Sequence, residues 1–293
     1  MRVKVTGTAP DTTERQPFAS TSQHALPASI AIDTLPLQRG SAIQGQDSGL
    51  AGEVKIAVTE GLGTFWIAPR LVEYQAALPN LFVDLNCSMK QPNFRQLSTG
   101  VGIQLVEPND PSLEKVRIGT LHSYPFAASS YVQRFGVPKS LGEIRKHRLV
   151  LQLADQTATQ ELYERVLPDV PQSDLVAVRT NSSIVHFWTI ASGTGIGCLP
   201  SYVVALASDV VPIDIGLHFS FAIWLVCRPE VRRIPRVGRT IEWLVDSFDS
   251  RRYPWFAEQF IHPRELLDRY HGEPLPTLFD YFSDNTDRPT PIH

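Results

Sequence analysis

"EVKIAVTEGLGTFWIAPRLVEYQAALPNLFVDLNC", residues 53–87, decides the fold class. Its first part, "EVKIAVTE" (53–60), is an apolar run with a polar end and reads as a strand. In "GLGTFWIAPRLVEYQAALPN" (61–80), Phe65, Leu71, Val72 and Leu78 recur at helical spacings. Pro69 lies inside this stretch, so a regular helix can begin there, with proline in its first turn. "LFVDLNC" (81–87) is the next strand. Strand, helix and strand in immediate succession form the unit of a parallel sheet.

The same alternation continues outward. "RQLSTGVGIQLVEP" (95–108) predicts a weak helix, a glycine break and a strand over 101–106. "LEKVRIGTLHSYPFAAS" (113–129) is one extended run, longer than the roughly 3–10 residues of an ordinary strand. A short helix (129–136), a strand (148–153), a helix (157–167) and a strand (175–180) come next. They are followed by a helix (182–192), a short strand near Gly197–Leu199 and a short helix (201–207). A strand (221–229) and a helix (236–248) close the pattern. Trp66, Trp188 and Trp224 fit the core faces of their elements. Residues 1–52, rich in Thr, Ser, Pro and Ala, show no sustained period and are expected to be largely disordered. The segment 251–293 is an aromatic-rich extension with a helix expected at 262–270, folding back on an apolar surface or serving a partner.

Composition narrows the function. With 293 residues and 43% hydrophobic content, the chain can bury a sizeable core. A formal net charge of −3 argues against a surface built to neutralise nucleic-acid phosphates. Cys87, Cys198 and Cys227 are far apart, with neither a CxxC pair nor a Cys/His cluster, so neither a disulfide framework nor a metal site is expected. A reducing cytoplasm fits this usage best. No apolar run reaches the roughly 18 residues of a membrane span.

"ASGTGIGCLPSYVV" (191–204) tests for an enzyme. A dinucleotide fingerprint places its glycines after a strand and before a helix. Here they follow a helix, with GxGxG spacing, so Gly193 and Gly195 read as a helix C-cap and turn. Cys198 as a nucleophile needs a base, and nothing in the sequence brings His186 to it. No nucleophile–base–orienter set can be assembled, so no enzyme, no catalytic residue and no cofactor are expected.

At this point the order of elements resembles a known family. "LAGEVKIAVTEGLGTFWIAPRLVEYQAALPNLFVDL" is similar to the start of the effector-binding domain of LysR-type transcriptional regulators, matching at Gly52, Pro69, Leu71, Tyr74 and Pro79. "ASGTGIGCLPSYVV" resembles that family's G-x-G-I-x-x-L-P return, and "WLVCRPEVRRIPRVGRTIEWLVDSF" its closing strand and helix. The resemblance covers about residues 50–250. It implies an α/β fold of two Rossmann-like lobes joined by two crossover strands, of the type 2 periplasmic-binding-protein kind. The first crossing would lie near His122–Phe126, which the over-long run at 113–129 supports, and the return near Leu217–Phe221. Lobe I would comprise 53–122 plus 221–250, and lobe II 123–220. Family members begin with a winged helix-turn-helix, of which residues 1–52 show no sign. Pro10, Pro17, Pro27 and Pro36 would break its helices. DNA would then be a partner only if a longer chain or a partner subunit supplies that module.

In such a fold, ligands meet strand C-terminal ends and helix N-termini. This logic selects Thr59, Glu60, Thr64, Gln104, Asn181, Ser182 and Ser183. "TNSS" (180–183) serves equally as a helix cap. His122 at the hinge is a further candidate, with an ordinary strand histidine as the alternative. The resemblance implies a sensing module that binds a small polar or anionic effector, assembles as a homo-oligomer through these domains and needs no membrane. A solute-binding protein of the same fold and a Cys198-dependent enzyme are the alternatives.

Overall fold

The structure, a computed structural model, describes residues 2–5, 49–94, 100–207 and 209–272. Its strands are β1 (Arg2–Val5), β2 (Gly52–Val58), β3 (Leu81–Cys87), β4 (Gly100–Gln104), β5 (Glu114–Ala128), β6 (Leu149–Gln152), β7 (Val176–Thr180), β8 (Gly197–Pro200), β9 (Val210–Pro212) and β10 (Leu217–Cys227). Its α-helices are α1 (Glu60–Leu62), α2 (Leu71–Ala77), α3 (Ser129–Phe135), α4 (Thr159–Val166), α5 (Gln172–Leu175), α6 (Ser183–Ala191), α7 (Pro229–Arg232), α8 (Pro235–Ser247) and α9 (Pro263–Arg269).

β2 lies between β3 and β4, parallel to both. Val54, Ile56, Ala57 and Val58 are all buried, as a central strand covered on both faces requires. The chain then turns helical at Glu60, earlier than Pro69. It passes through a π-helical turn (Gly63–Ile67) and a 3-10 turn (Ala68–Arg70) before α2 begins. Pro69 has no N–H to give to a regular α-helical ladder, so the path changes pitch around it and α2 starts afterwards.

Two long strands organise the rest. β5 and β10 pair antiparallel from Phe219↔Ser123 to Cys227↔Glu114, with a register shift between Ile223 and Trp224. At one end β4 joins β10 over Val101–Gln104. At the other, β8 and β9 join β5 over Ser123–Ala128. β6 and β7 form a parallel pair, tied to the segment before β8 by the bridge Leu149↔Ile196. The backbone ladder is therefore continuous through β5 and β10, while the flanking strands and helices fall into two lobes. Ser220↔His122 and Phe221↔Leu121 are paired, so the expected crossings run side by side.

Several expectations shift in detail. The return strand starts at Leu217, not at residue 221. β9 was not anticipated, and the helix expected at 201–207 is a 3-10 turn, Ser201–Ala205. Trp66 is fully buried, but Trp188 is 45% exposed and does not join the core. Its neighbours Ile184 and Val185 are also exposed, because α6 buries the opposite face through His186, Phe187 and Ile190. Within 1–52, residues 2–5 pair antiparallel with Leu217–Ser220. Most of that segment, and the weak helix expected at 95–99, lie outside the described residues.

Trp66 anchors the first lobe. Its Nε1–H donates to the Ser247 carbonyl at 2.8 Å, and its ring meets Tyr253, Trp255 and Phe256 edge-on. The Arg70 guanidinium stacks over it and donates to the Trp66 carbonyl. Burial pulls the Arg70 pKa below its usual value, an effect that hydrogen bonding to Tyr253 opposes. The segment after α8 then crosses the hinge. Phe260 stacks on both Tyr124 and His218, and His262 donates to Asp214 at 2.9 Å. The described part of the extension, residues 251–272, thus folds back on the two lobes. Its continuation from residue 273 lies outside the described residues.

Candidate functional site

A cavity of about 190 Å³ lies where the lobes face each other. Leu62 and Phe65 wall it from the first lobe, Val150 and Phe187 from the second, and Leu121 and Phe221 from the crossover strands. Thr59, Ser123, Gln152, Thr157, Thr159 and Ser183 bring hydroxyl and amide groups to its lining. Beside it, sharing Met89 and Thr159, lies an outer groove lined by Glu60, Lys90, Asp155, Glu161, Asn181 and Ser182.

Several hydrogen bonds join the lobes, among them those of Gln156 with Met89, Lys90 and Leu105, and a carboxylate adds two more. Glu60 begins α1, directly after β2, and its carboxylate reaches the start of α6. Its Oε1 accepts from the Ser182 hydroxyl at 2.8 Å, and its Oε2 accepts from the Ser183 backbone N–H at 2.7 Å. The first N–H groups of a helix have no intrahelical acceptor and carry partial positive charge, so a carboxylate satisfies them well. Ser182 also caps α6 by accepting from the Val185 N–H. The cap role suggested by "TNSS" therefore belongs to Ser182. The Ser183 hydroxyl accepts from Gln152 Nε2 at 2.7 Å, extending the network into the second lobe.

The sequence-selected residues divide into three groups. Thr59, 2% exposed, and Ser183 line the inner cavity. Glu60, Asn181 and Ser182 line the outer groove. Thr64 and Gln104 line neither, so the structure does not bring all the selected residues together. Thr64 sits in the π-helical turn. Gln104 is 2% exposed and gives its amide to the Val106 carbonyl. His122 also faces away from the cavity. Its Nε2–H donates to the Ala257 carbonyl and its Nδ1 accepts from the Ser220 hydroxyl, each at 2.8 Å. Burial lowers its pKa, which keeps it neutral in this role. It is a hinge histidine that holds the C-terminal segment. Gln152 escaped selection, although it ends β6 and the same strand-end logic would have found it.

The glycine turn is structural. Gly193 has φ +82°, the left-handed conformation expected after a helix. Gly195 has a different reason: a Cβ there would lie 2.5 Å from the Arg148 carbonyl oxygen. Cys198 lines the cavity, but burial pushes its thiol up to about 12. Burial pushes His186 down to about 4, and its Nε2–H donates to the Val150 carbonyl at 3.2 Å. A thiol held neutral by burial makes a poor nucleophile. Among the described residues, no group of three or more His, Cys, Asp and Glu could hold a metal ion. No helix among them is long and apolar enough to cross a membrane.

Comparison with known proteins follows the same lines. Residues 47–249 match the LysR substrate binding domain. The chain is 23% identical over 177 residues to an HTH-type transcriptional regulator of Xanthomonas campestris, covering 59% of this chain and 44% of that protein. It is 23% identical over 169 residues to an uncharacterized HTH-type transcriptional regulator of Haemophilus influenzae, covering 58% and 59%. The chain thus spans about half the length of the curated relatives it matches. Among solved structures, the regulatory domain of CrgA, a LysR-type transcriptional regulator from Neisseria meningitidis, aligns with a TM-score of 0.56 at 16% identity, covering 67% of this chain and 98% of that one. The full-length Vibrio cholerae virulence activator AphB aligns with a TM-score of 0.54 at 14% identity, covering 68% and 69%. These likenesses show the fold.

Proposed function

The chain belongs to the LysR substrate binding domain family, and from that premise we propose that it is the effector-sensing part of a transcriptional regulator. Lobe I comprises 53–122 and 221–250, and lobe II 123–220. A small molecule enters the cleft between them. The observation that carries this reading is a cavity walled by both lobes and both crossover strands, with Glu60 of one lobe bonded to Ser182 and Ser183 of the other. A ligand that touches both walls has a different affinity for the closed and open arrangements, and that difference is the signal. Thr59, Ser123, Gln152 and Ser183 offer it hydrogen bonds. The domains assemble as a homo-oligomer, and DNA is contacted by a helix-turn-helix supplied by a longer chain or a partner subunit.

The test is a small-molecule screen by thermal denaturation of this chain beside its Ser123→Phe variant, whose ring would occupy the cavity. Ligands of the cleft raise the midpoint of the parent and not of the variant. A set of ligands that raise both equally places binding elsewhere and overturns the reading.

A further inference from the structure

We infer that the cleft takes an uncharged, largely apolar molecule about the size of one aromatic ring, and that it discriminates against carboxylates. The inference rests on the cleft reading above and narrows it. Strand-end hydroxyls alone would suit an anion, but three features of the site work against one.

The first is the lining. No Lys, Arg, Asp or Glu is among the described residues that wall the inner cavity, where Phe65, Phe187, Phe219 and Phe221 present ring surface. Its titratable groups, His186, Cys198, Tyr163 and Tyr202, are all displaced toward their neutral forms by burial. A carboxylate entering here would lose its water without gaining a cation, which disfavours its charged form.

The second feature is Glu60. Among the described residues, the N-termini of α6 and α4 border this cavity: Glu60 already engages the first with both carboxylate oxygens, and the second carries Glu161 in its own first turn. The chain supplies its own anion, so an incoming one must displace it. The outer groove reinforces the exclusion, since among its described lining residues Glu60, Asp155 and Glu161 outnumber Lys90.

The third feature is size. An apolar cavity of about 150 Å³ is enough to hold benzene, and this one measures about 190 Å³. The Thr59 hydroxyl, and the Ser123 hydroxyl as an acceptor while it donates to the Leu199 carbonyl, can seat one hydroxyl or amide of a neutral ligand.

Three fluorinated probes of nearly one shape test this: 4-fluorobenzyl alcohol, 4-fluorobenzoate and 4-fluorobenzylamine. Each is titrated against the full chain by ligand-observed fluorine NMR near pH 7. The alcohol is expected to bind at least tenfold more tightly than the benzoate and the amine, and Ser123→Phe to abolish its binding. In Glu60→Ala, which vacates the α6 N-terminus, the alcohol-to-benzoate ratio is expected to fall at least threefold. Benzoate or amine binding as well as the alcohol, and lost in Ser123→Phe, overturns the ligand class while the cleft reading stands. Binding of any probe that Ser123→Phe leaves unchanged overturns the cleft reading itself. Absence of binding by all three overturns the single-ring assignment. An unchanged ratio in Glu60→Ala removes Glu60 as the barrier and overturns the exclusion argument.

Discussion

Lowering the pH from 7 to 4.5 should destabilise this chain through His186. The imidazole is 3% exposed on the inner face of α6, with its Nε2–H donating to the Val150 carbonyl. Burial drops its pKa from 6.5 to about 4, against a small opposing effect of that bond. Between those two values the unfolded chain binds a proton that the folded chain refuses. Stability from this group is therefore complete above about pH 6.5 and declines as pH falls toward 4. Integrating between pH 7 and 4.5 gives a loss of about 2.5 kcal/mol. His122 and His147 shift in the same direction, and carboxylates also titrate in this range, so the parent alone does not isolate the effect. His186→Gln keeps an N–H donor for Val150 and removes the titration. Urea unfolding of parent and variant at both pH values gives the comparison. The parent should lose about 2.5 kcal/mol more than the variant on acidification. Equal losses, within about 0.5 kcal/mol, would show that His186 is not held neutral by burial and would refute the reasoning.

Glu60→Ala removes two charge-assisted bonds across the cleft and should cost about 1–2 kcal/mol, with faster amide exchange at Ser183 as its local signature. A stable variant with unaltered exchange there would show that the contact does not hold the lobes. Gly195→Ala forces a Cβ against the Arg148 carbonyl, a backbone atom that cannot swing aside. It should cost about 1–3 kcal/mol in urea melts, and a neutral result would contradict the close approach. Phe260→Ala removes a ring stacked between Tyr124 and His218 and should cost about 1–2 kcal/mol. It should also make Ala257–His262 sensitive to limited proteolysis. Finally, an aromatic disulfide reagent near pH 7 should label exposed Cys87 in the native chain while Cys198 and Cys227 react only on unfolding. Rapid native labelling of Cys198 would reopen the reading of this thiol as reactive.

Much of the fold was legible because it is written in short periods. The strand at 81–87 has the expected ends, and β2 and α6 lie within a residue or two of theirs, since alternation and helical spacing are local properties. The over-long run at 113–129 announced a strand that serves two lobes, and β5 occupies nearly all of it. Local pattern also identified Gly193 as a helix end. It could not explain Gly195, whose neighbour Arg148 is far back in the chain.

The site divides along the same boundary. The residue types at strand ends and helix starts were visible, and Thr59, Glu60, Ser182 and Ser183 do gather where the lobes meet. Which of them faces a ligand was not visible, because that depends on what each polar group already bonds. Gln104 is turned to its own backbone, His122 to Ala257 and Ser220, and Glu60 to a helix start 122 residues away. Sequence by itself determined the α/β alternation, the over-long strand at 113–129 and the helix end at Gly193, because backbone conformation follows from nearby residues, while the pairing of two crossover strands was what the family resemblance implied. Only the tertiary structure decided that the inner cleft is apolar and that Glu60 already engages the α6 N-terminus beside it. A hydrogen bond across two lobes depends on distances that no local pattern encodes.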